Sequence, residues 1–492
     1  MTAPPDLSSN RRLTKALAHV NNLWFPFNPA VLTQLENGFK EGTFSKDGDD
    51  LLNVLKQDFA LFTYLIKELI PVASGQHVTP RIMCNPVELL KWAGPEKIRS
   101  IVFSDKGLPS AHSLNNSEGF QAARLRETAI VATTAEVLSE KKKLDPNFGF
   151  CRGVLREIGL NLIAWNYPLL YSRIMKAVPE NSSLEEELTR ELGFSPSVLA
   201  MRIITPSNVN MDSPEVTSIN KELAVYDDLC EVGEALAQAD NPSVHPQAAR
   251  KWAAAQQHLE QAGGPEVLAT IQSRAVSNSK SYSAEMDSAF PSPSDFNPEK
   301  RLATHRQAIR VTENRYVRYC SEEVRDAIQA LYAAMPADVV DRAILERLIK
   351  EVIPKAGFTG GCVFVMNPSE MTLTPRTVIG KVRGRAISTI ALRPLTVIGL
   401  DLSFSETEII EAATDHEDAI ANAFACVQPI IEQDREQLNE GLTLISSSLG
   451  GRRRIGVLYL EKPLQEGSEP NNSTLATFKA LRQALCDALH IE

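Results

Sequence analysis

The first two-fifths of the chain is punctuated almost throughout as helix. Asn28-Pro29, Asn85-Pro86 and Asp145-Pro146 each set a capping side chain before a proline at the first helical position. Asp58 stands ahead of FALFTYLIKEL, in which Phe62, Leu65, Ile66 and Leu69 recur at helical spacing. Val31, Leu32, Leu35 and Phe39 form one face of the helix opened at Asn28. DDLLNVLKQ predicts a short helix, and Gly94-Pro95 ends one helix while starting another, EKIRSIVFS. Residues 118–140 predict a long helix, Tyr167-Pro168 turns into a further one, and Ser183 to Glu186 spells a capping box closed by Gly193. Strand signals are nearly absent to residue 200. The expectation is an all-helical domain, irregular rather than a simple bundle because its helices differ in length.

Within it, residues 151–165 read CRGVLREIGLNLIAW. Val154, Leu155, Ile158, Leu162 and Trp165 share a face that looks to a core. Gly153 and Gly159 cost helix propensity and let a neighbouring backbone come close.

Beyond residue 212 the pattern changes twice. Residues 215–272 predict further helices rich in Ala, Glu and Gln. Residues 273–298, SRAVSNSKSYSAEMDSAFPSPSDFNP, hold too few apolar groups to offset ordering entropy and predict a flexible linker. Helices at 301–334 and 337–356 follow, then the strand GGCVFVMN and the strand candidates TVIGKVRG and AISTIALRP. A helical stretch covers 406–424. TLISSSLGGRRRIGVLYLEK predicts two strands around a Gly-Gly turn. The terminal STLATFKALRQALCDAL is helical, with Leu475, Phe478, Leu481, Leu485 and Leu489 near one face. The expected fold class is multidomain, an N-terminal all-α domain followed by a C-terminal α+β domain. The expected boundaries are an N-terminal tail at 1–19, the helical domain at 20–212, a helical extension at 213–272, the linker at 273–298 and the sheet domain at 299–492.

Charge and cysteine usage narrow the function classes. With 51 Lys and Arg against 61 Asp and Glu, the net charge of −10 argues against a general nucleic-acid binder. No apolar run reaches the length of a membrane span, and MTAPPDLSSNRRL carries no apolar signal core, so a cytoplasmic protein is expected with neither nucleic acid nor membrane as partner. The cysteines at 84, 151, 230, 320, 362, 426 and 486 are too widely spaced for a zinc knuckle or CxxC pair, and buried, reduced thiols are expected. GxxxxGK[ST], GxSxG, HExxH and GxGxxG are all missing from the sequence.

Four segments in order resemble an HDOD domain, a signalling relative of the HD phosphohydrolases. Pro26-Phe27-Asn28-Pro29-Ala30-Val31 resembles the family's opening, and Lys56-Gln57-Asp58-Phe59-Ala60-Leu61 its QDPAL-type segment. Glu88 to Arg99 resembles its A-x-x-x-L-G-x-x-x-[IL]-R segment, and Cys151 to Gly159 its AGLLHDIG segment. The resemblance runs over residues 20–212. It implies an HD-like helical domain in which active relatives hold divalent ions on two histidines and two aspartates, activating a water to attack phosphorus.

Those positions are altered in this chain. The first histidine would fall near Glu127, and the His-Asp pair falls at Arg156-Glu157. Arginine has no lone pair to give a metal and keeps its positive charge. Of the histidines at 19, 77, 112, 245, 258, 305, 416 and 490, none lies between 113 and 244. The expectation is a degenerate site with no metal, no cofactor and no catalytic residue, in which Arg156 and Glu127 pair across two helices.

The C-terminal domain resembles a GAF domain, a small-molecule-sensing and dimerising module. Leu345–Val365 reads as helix then first strand, Arg454-Ile455-Gly456-Val457-Leu458-Tyr459-Leu460 resembles the family's IGVLYLD strand with Glu461 for the aspartate, and a terminal helix follows. Residues 383–440 match poorly. Arg452, Arg453 and Arg454 form a basic hairpin tip that suits an anion or a partner, or simply an exposed turn. Asp415-His416-Glu417-Asp418 sits in the helical stretch, where neighbours do not converge, and is expected to be a solvated helix start. Lys141, Lys142 and Lys143 complement a helix C-terminus.

These readings predict a non-catalytic bacterial-type signal-transduction protein. An HDOD-like scaffold for signalling proteins would be coupled to a GAF-like domain that takes a small molecule, such as a cyclic nucleotide, or forms a homodimer. Two alternatives stay open: an HD phosphodiesterase with unusual ligands, and a nucleotide-binding sensor without a protein partner.

Overall fold

The structure is a computed structural model that describes residues 7–491 apart from 45–47, 106, 206–213, 287–296, 337–338, 393–405, 415, 427, 435–440, 452 and 465–471. It divides into two compact units, residues 1–302 and 303–492.

The first unit is helical, as its punctuation implies. Its helices are α1 (Leu7–Asn22), α2 (Pro29–Glu41), α3 (Asp49–Leu55), α4 (Phe59–Gly75), α5 (Pro80–Cys84), α6 (Pro86–Val102), α7 (Gly119–Lys141) and α8 (Pro146–Asn166). There follow α9 (Pro168–Met175), α10 (Leu184–Leu192), α11 (Pro196–Ile204), α12 (Pro214–Asp240), α13 (Ala248–Ala262), α14 (Pro265–Met286) and α15 (Pro298–Glu313). The boundary between the units falls within α15. Asn28, Asn85 and Asp145 each accept backbone N–H bonds at their helix starts, and Ser183 and Glu186 close a reciprocal capping box. Gly94 breaks α6 with φ 68°, where its Gly-Pro pair predicted a stop and restart.

Helix α7 is the hub. Every residue from Arg124 to Ala135 is buried, so the helix has no solvent face over that span. Helix α8 can pack closely on it because Gly153 has no side chain: a Cβ there would stand 2.6 Å from the Ala132 Cα. Gly159 does the same on the opposite side, where a Cβ would stand 2.0 Å from the Pro196 carbonyl oxygen of α11. The face predicted from Val154, Leu155, Ile158, Leu162 and Trp165 is buried throughout.

Two expected boundaries are corrected. The N-terminal tail is helical from Leu7, and Leu13 and Ala16 of α1 enter the main core. The expected linker is helical as far as Met286. Its Tyr282 is fully buried and accepts a hydrogen bond from the Phe59 N–H at 2.7 Å, while Ser281 donates to the Gln57 carbonyl at 2.8 Å. The buried stripe runs Ala275, Ser279, Tyr282, Met286, and two small residues in it leave almost no hydropathy signal. The rest of the expected linker that lies in 287–296 is outside the described residues.

The second unit is α+β. Helix α16 (Glu322–Ala334) precedes α17 (Arg342–Arg347), which runs through a π turn into α18 (Ile353–Lys355). Then come β1 (Gly360–Asn367), β2 (Thr372–Gly380), β3 (Ile390–Ala391), α19 (Glu406–Ala413), α20 (Ala419–Ala425), β4 (Ile430–Asp434), β5 (Leu442–Leu449), β6 (Gly456–Pro463) and α21 (Asn472–Ala488). The strands form one six-stranded antiparallel sheet in the order β3-β2-β1-β6-β5-β4. Alternation on β6 sends Leu458 and Leu460 into one core with Phe478 of α21, and Val457 and Tyr459 into another with Phe424 of α20. The predicted strand AISTIALRP is reduced to the two residues of β3, and its residues from 393 lie outside the described residues.

Candidate functional site

A helix buried on all sides must pair its polar side chains within the protein. Arg124 of α7, only 4% exposed, is the centre of such an arrangement. Its Nη1 lies 2.7 Å from Glu127 Oε2 one turn along the same helix, and its Nη2 bonds Glu157 Oε2 of α8. The buried Tyr171 hydroxyl faces the same guanidinium. The other Glu127 oxygen accepts from Asn241 Nδ2 at 2.9 Å and faces His245 Nε2 at 3.3 Å. A carboxylate only accepts, so this contact puts the His245 proton on Nε2. Asn161 of α8 donates to Thr128 Oγ1 at 2.9 Å and to the Glu157 carbonyl at 3.1 Å.

Of Glu127, Arg156 and Glu157, two therefore converge: Glu127 and Glu157 share one guanidinium. The expected Arg156–Glu127 pair does not form. Arg156 lies one residue round the helix from Glu157, so it faces α12 instead, bonding Glu234 and approaching Glu231 at 3.4 Å and Asp227 at 3.8 Å. Arg152 joins it with two bonds to Asp227, at 2.8 and 3.1 Å. Arg126 pairs with Asp240 at 2.8 Å on the other side of α7. Helix α12, expected as an extension, thus supplies much of the site's counter-charge.

The two shared carboxyls are driven apart electrostatically. Burial raises Glu157 to about 7; Arg124 opposes the rise, and Glu234 and Glu127 add to it. Burial also acts upwards on Glu127, but Arg124, His245 and Asn241 outweigh it and hold that carboxyl down at about 2. The pair so shares one positive charge, with the Glu127 carboxyl held down and the Glu157 carboxyl pushed up by its burial. A cavity of about 360 Å³ lies over this centre, with Arg152, Glu185, Met201, Asp227 and Lys251 among its lining residues.

A divalent ion does not fit this donor set. Glu127 and Glu157 already neutralise a guanidinium within hydrogen-bond distance, and a cation between them would meet that fixed charge directly. Among the described residues, no group of three or more His, Cys, Asp and Glu side chains is arranged to hold a metal.

The sequence reasoning missed Arg124, Asn241 and His245. Arg124 and Glu127 stand three apart in an otherwise apolar helix, a readable pair. His245 stands one residue past the histidine-free stretch 113–244. The family-like segments do structural work nearby: Lys56 bonds Glu136 and Asn147, both at 2.6 Å, and Asp58 caps α4 while accepting the Asn28 N–H at 2.7 Å. Burial lifts the Asp58 carboxyl to about 6.

In the sheet unit the candidates do not gather. Arg452 and Asp415 lie outside the described residues. Arg453 is exposed, and Arg454 donates to the Phe424 carbonyl at 2.8 Å and to that of Ala425, closing the end of α20. His416 and Asp418 lie between α19 and α20, not within one helix; Asp418 caps α20 and pairs with Arg385. Glu461 is fully buried and accepts from the N–H groups of Arg383 and Gly384, at 2.8 and 2.9 Å, and from the Tyr459 hydroxyl at 2.7 Å.

Of the cysteines, 151, 230, 320, 362 and 486 are buried, Cys84 is half-buried and Cys426 exposed, all as free thiols. Burial pushes Cys151 and Cys230 well up, which keeps them protonated and unreactive. Among the described residues, no helix is long and apolar enough to cross a membrane. No family model, curated protein or solved structure matches this chain.

Proposed function

We propose that this chain is a non-catalytic signal-transduction protein whose helical unit is an HD-related, HDOD-like interaction scaffold. One observation carries the reading: Arg124 is clamped by Glu127 and Glu157, two of the positions at which an active relative would hold metal ligands. A fixed guanidinium there supplies positive charge without a Lewis-acid site or a bound water. The centre then ties α7 to α8 and to residues 241–245 mechanically instead of performing hydrolysis. The sheet unit is a GAF-like sensory or dimerising module in this reading, supported by the IGVLYL strand at the sheet centre and the terminal helix packed on it. The partners are other signalling proteins.

Hydrolysis of bis(p-nitrophenyl) phosphate by the full chain, assayed with added manganese, tests the proposal. The expected result is no turnover above the metal-only background. Turnover that disappears in Glu157→Gln overturns the scaffold reading in favour of an HD phosphodiesterase.

A further inference from the structure

Residues 314–320 read NRYVRYC and carry a period of three. Asn314, Val317 and Cys320 are buried, Arg315 and Arg318 are exposed, and Tyr316 and Tyr319 line one cavity. The backbone gives the reason. The N–H groups of Val317, Tyr319 and Cys320 each bond the carbonyl three residues back, and in such a 3₁₀ turn residues three apart eclipse. The buried set fixes the turn. Val317 and Cys320 enter the core that holds Phe478, and Asn314 donates to the Ala480 carbonyl of α21 at 2.9 Å and to the Tyr332 hydroxyl of α16 at 2.8 Å. The two Arg-Tyr pairs are thereby presented together.

Each of these arginines meets a phenol. Arg318 donates to the Tyr319 hydroxyl at 2.6 Å, with its guanidinium carbon 4.7 Å from the ring centre. Arg315 donates to the Tyr316 hydroxyl at 3.4 Å and lies 5.3 Å from that ring centre, which Lys479 of α21 approaches to 5.5 Å. Other arginines of this unit take acids instead, as Arg342 takes Glu346 and Arg347 takes Glu351. The Arg315 hydrogen bond holds the Tyr316 phenol below its usual value; burial opposes this, and the charges of Arg315, Lys479 and Arg482 add to it. A hydroxyl that accepts from a guanidinium keeps its own O–H to give, and among the described residues neither tyrosine hydroxyl gives it to the protein. The cavity they line measures about 380 Å³, with Lys479 on its wall and Leu475 and Ala476 of α21 beneath. Among the described residues no acid lines it; Glu313, Glu322 and Glu323, the nearest in sequence, do not.

We infer that the NRYVRYC turn and the adjoining end of α21 form a docking surface for an acidic segment of a partner protein, with a carboxylate entering the cavity. Tyrosine and arginine are the residues that carry binding energy at protein interfaces, and Tyr319 is 53% exposed. The Arg-Tyr contacts hold both side chains of each pair before a partner arrives, which lowers the ordering cost of association. What the surface offers is cations and O–H donors, so a carboxylate satisfies it, whereas a basic or purely apolar segment leaves those groups unmet. The inference gives the scaffold a class of partner but does not rest on the HD-related reading: hydrolysis or bound metal in the helical unit leaves it untouched.

The test is fluorescence anisotropy of a fluorescein-labelled oligo-glutamate peptide titrated with the full chain. Saturable binding is expected, although a chain of net charge −10 has no general attraction for such a peptide. The double charge reversal Arg315→Glu with Arg318→Glu should weaken it about tenfold or more. Lys355→Glu with Arg376→Glu alters two exposed cations outside the cavity lining and changes the net charge equally, and should move the affinity less than about twofold. Tyr319→Phe keeps the ring and removes the free donor, and should weaken binding about threefold or more. Thermal melts of the variants should match the parent chain. Should the Arg315 and Arg318 reversal fail to fold, Tyr319→Phe decides alone. No saturable binding, an equal loss in the two charge reversals, unchanged affinity in folded Tyr319→Phe, or tighter binding of a single-stranded oligothymidylate than of the peptide overturns the inference.

Discussion

Two buried carboxylate sites, one in the body of the packed helices and one in the sheet unit, are met in opposite ways. In the helical unit Glu127 and Glu157 are met by a guanidinium. In the sheet unit Glu461 is met by two backbone N–H groups and a tyrosine hydroxyl. The cause is backbone economy. Inside a helix the N–H groups are already bonded four residues back, so a buried acid there must find a side chain. Residues 381–385 follow the end of β2 outside any strand, which leaves the N–H groups of Arg383 and Gly384 available to Glu461. Glu157 depends on the single Arg124 guanidinium, whereas Glu461 shares its bonds among several neutral donors.

The largest expected effect follows directly. Arg124→Met leaves two buried carboxylates without their cation and should cost about 3–5 kcal/mol, measured by denaturant unfolding of the full chain. The loss should shrink as pH falls, because protonation removes the uncompensated charges. A loss below about 1 kcal/mol would mean that His245 and Asn241 hold Glu127 unaided.

Glu157→Gln isolates the electrostatic part. The folded carboxyl stands at about 7 against an ordinary 4.5, so the folded state binds the proton more tightly. Its contribution to stability is therefore greatest at low pH and declines as pH rises from the unfolded value through the folded one. The amide has no such decline. The stability difference between about pH 5 and about pH 8 should shrink by the order of a few kcal/mol in the variant. Glu127, held at about 2, acts with the opposite sign and only below the ordinary carboxylate range, outside that window. An unchanged pH profile would show that Glu157 is already a full anion.

Glu461→Gln should be milder, about 1–3 kcal/mol, since the amide oxygen still accepts one N–H while its NH₂ meets the remaining donors. A cost equal to that of Arg124→Met would erase the contrast between the two sites. Arg454→Ala should be smallest, about 0.5–1.5 kcal/mol, because its bonds to the Phe424 and Ala425 carbonyls lie on a half-exposed helix end. Unfolding of the full chain checks both.

The helical unit was more legible than the sheet unit because its signals are local. Asn28, Asn85, Asp145 and Ser183 act on residues two or three positions away, and each starts its helix where the sequence says. Tyr282 escaped because its burial depends on Asp58 and Phe59, more than 200 residues earlier. The two strands around Gly450-Gly451 were legible from alternation and turn chemistry, whereas β4 was not, since it is defined by pairing with β5. The site was half legible. Glu127 and Glu157 were found by position, but Arg124 and His245 become visible only when α7 is seen to be buried on all sides and residues 241–245 return to it.

The most direct test of the central claim, that a fixed guanidinium holds the place of a metal, is the metal content of the full chain purified without chelators, measured by inductively coupled plasma mass spectrometry. The account predicts manganese, iron and zinc each far below one per chain, with no change in Glu157→Gln. One or two ions per chain, lost in that variant, would contradict it.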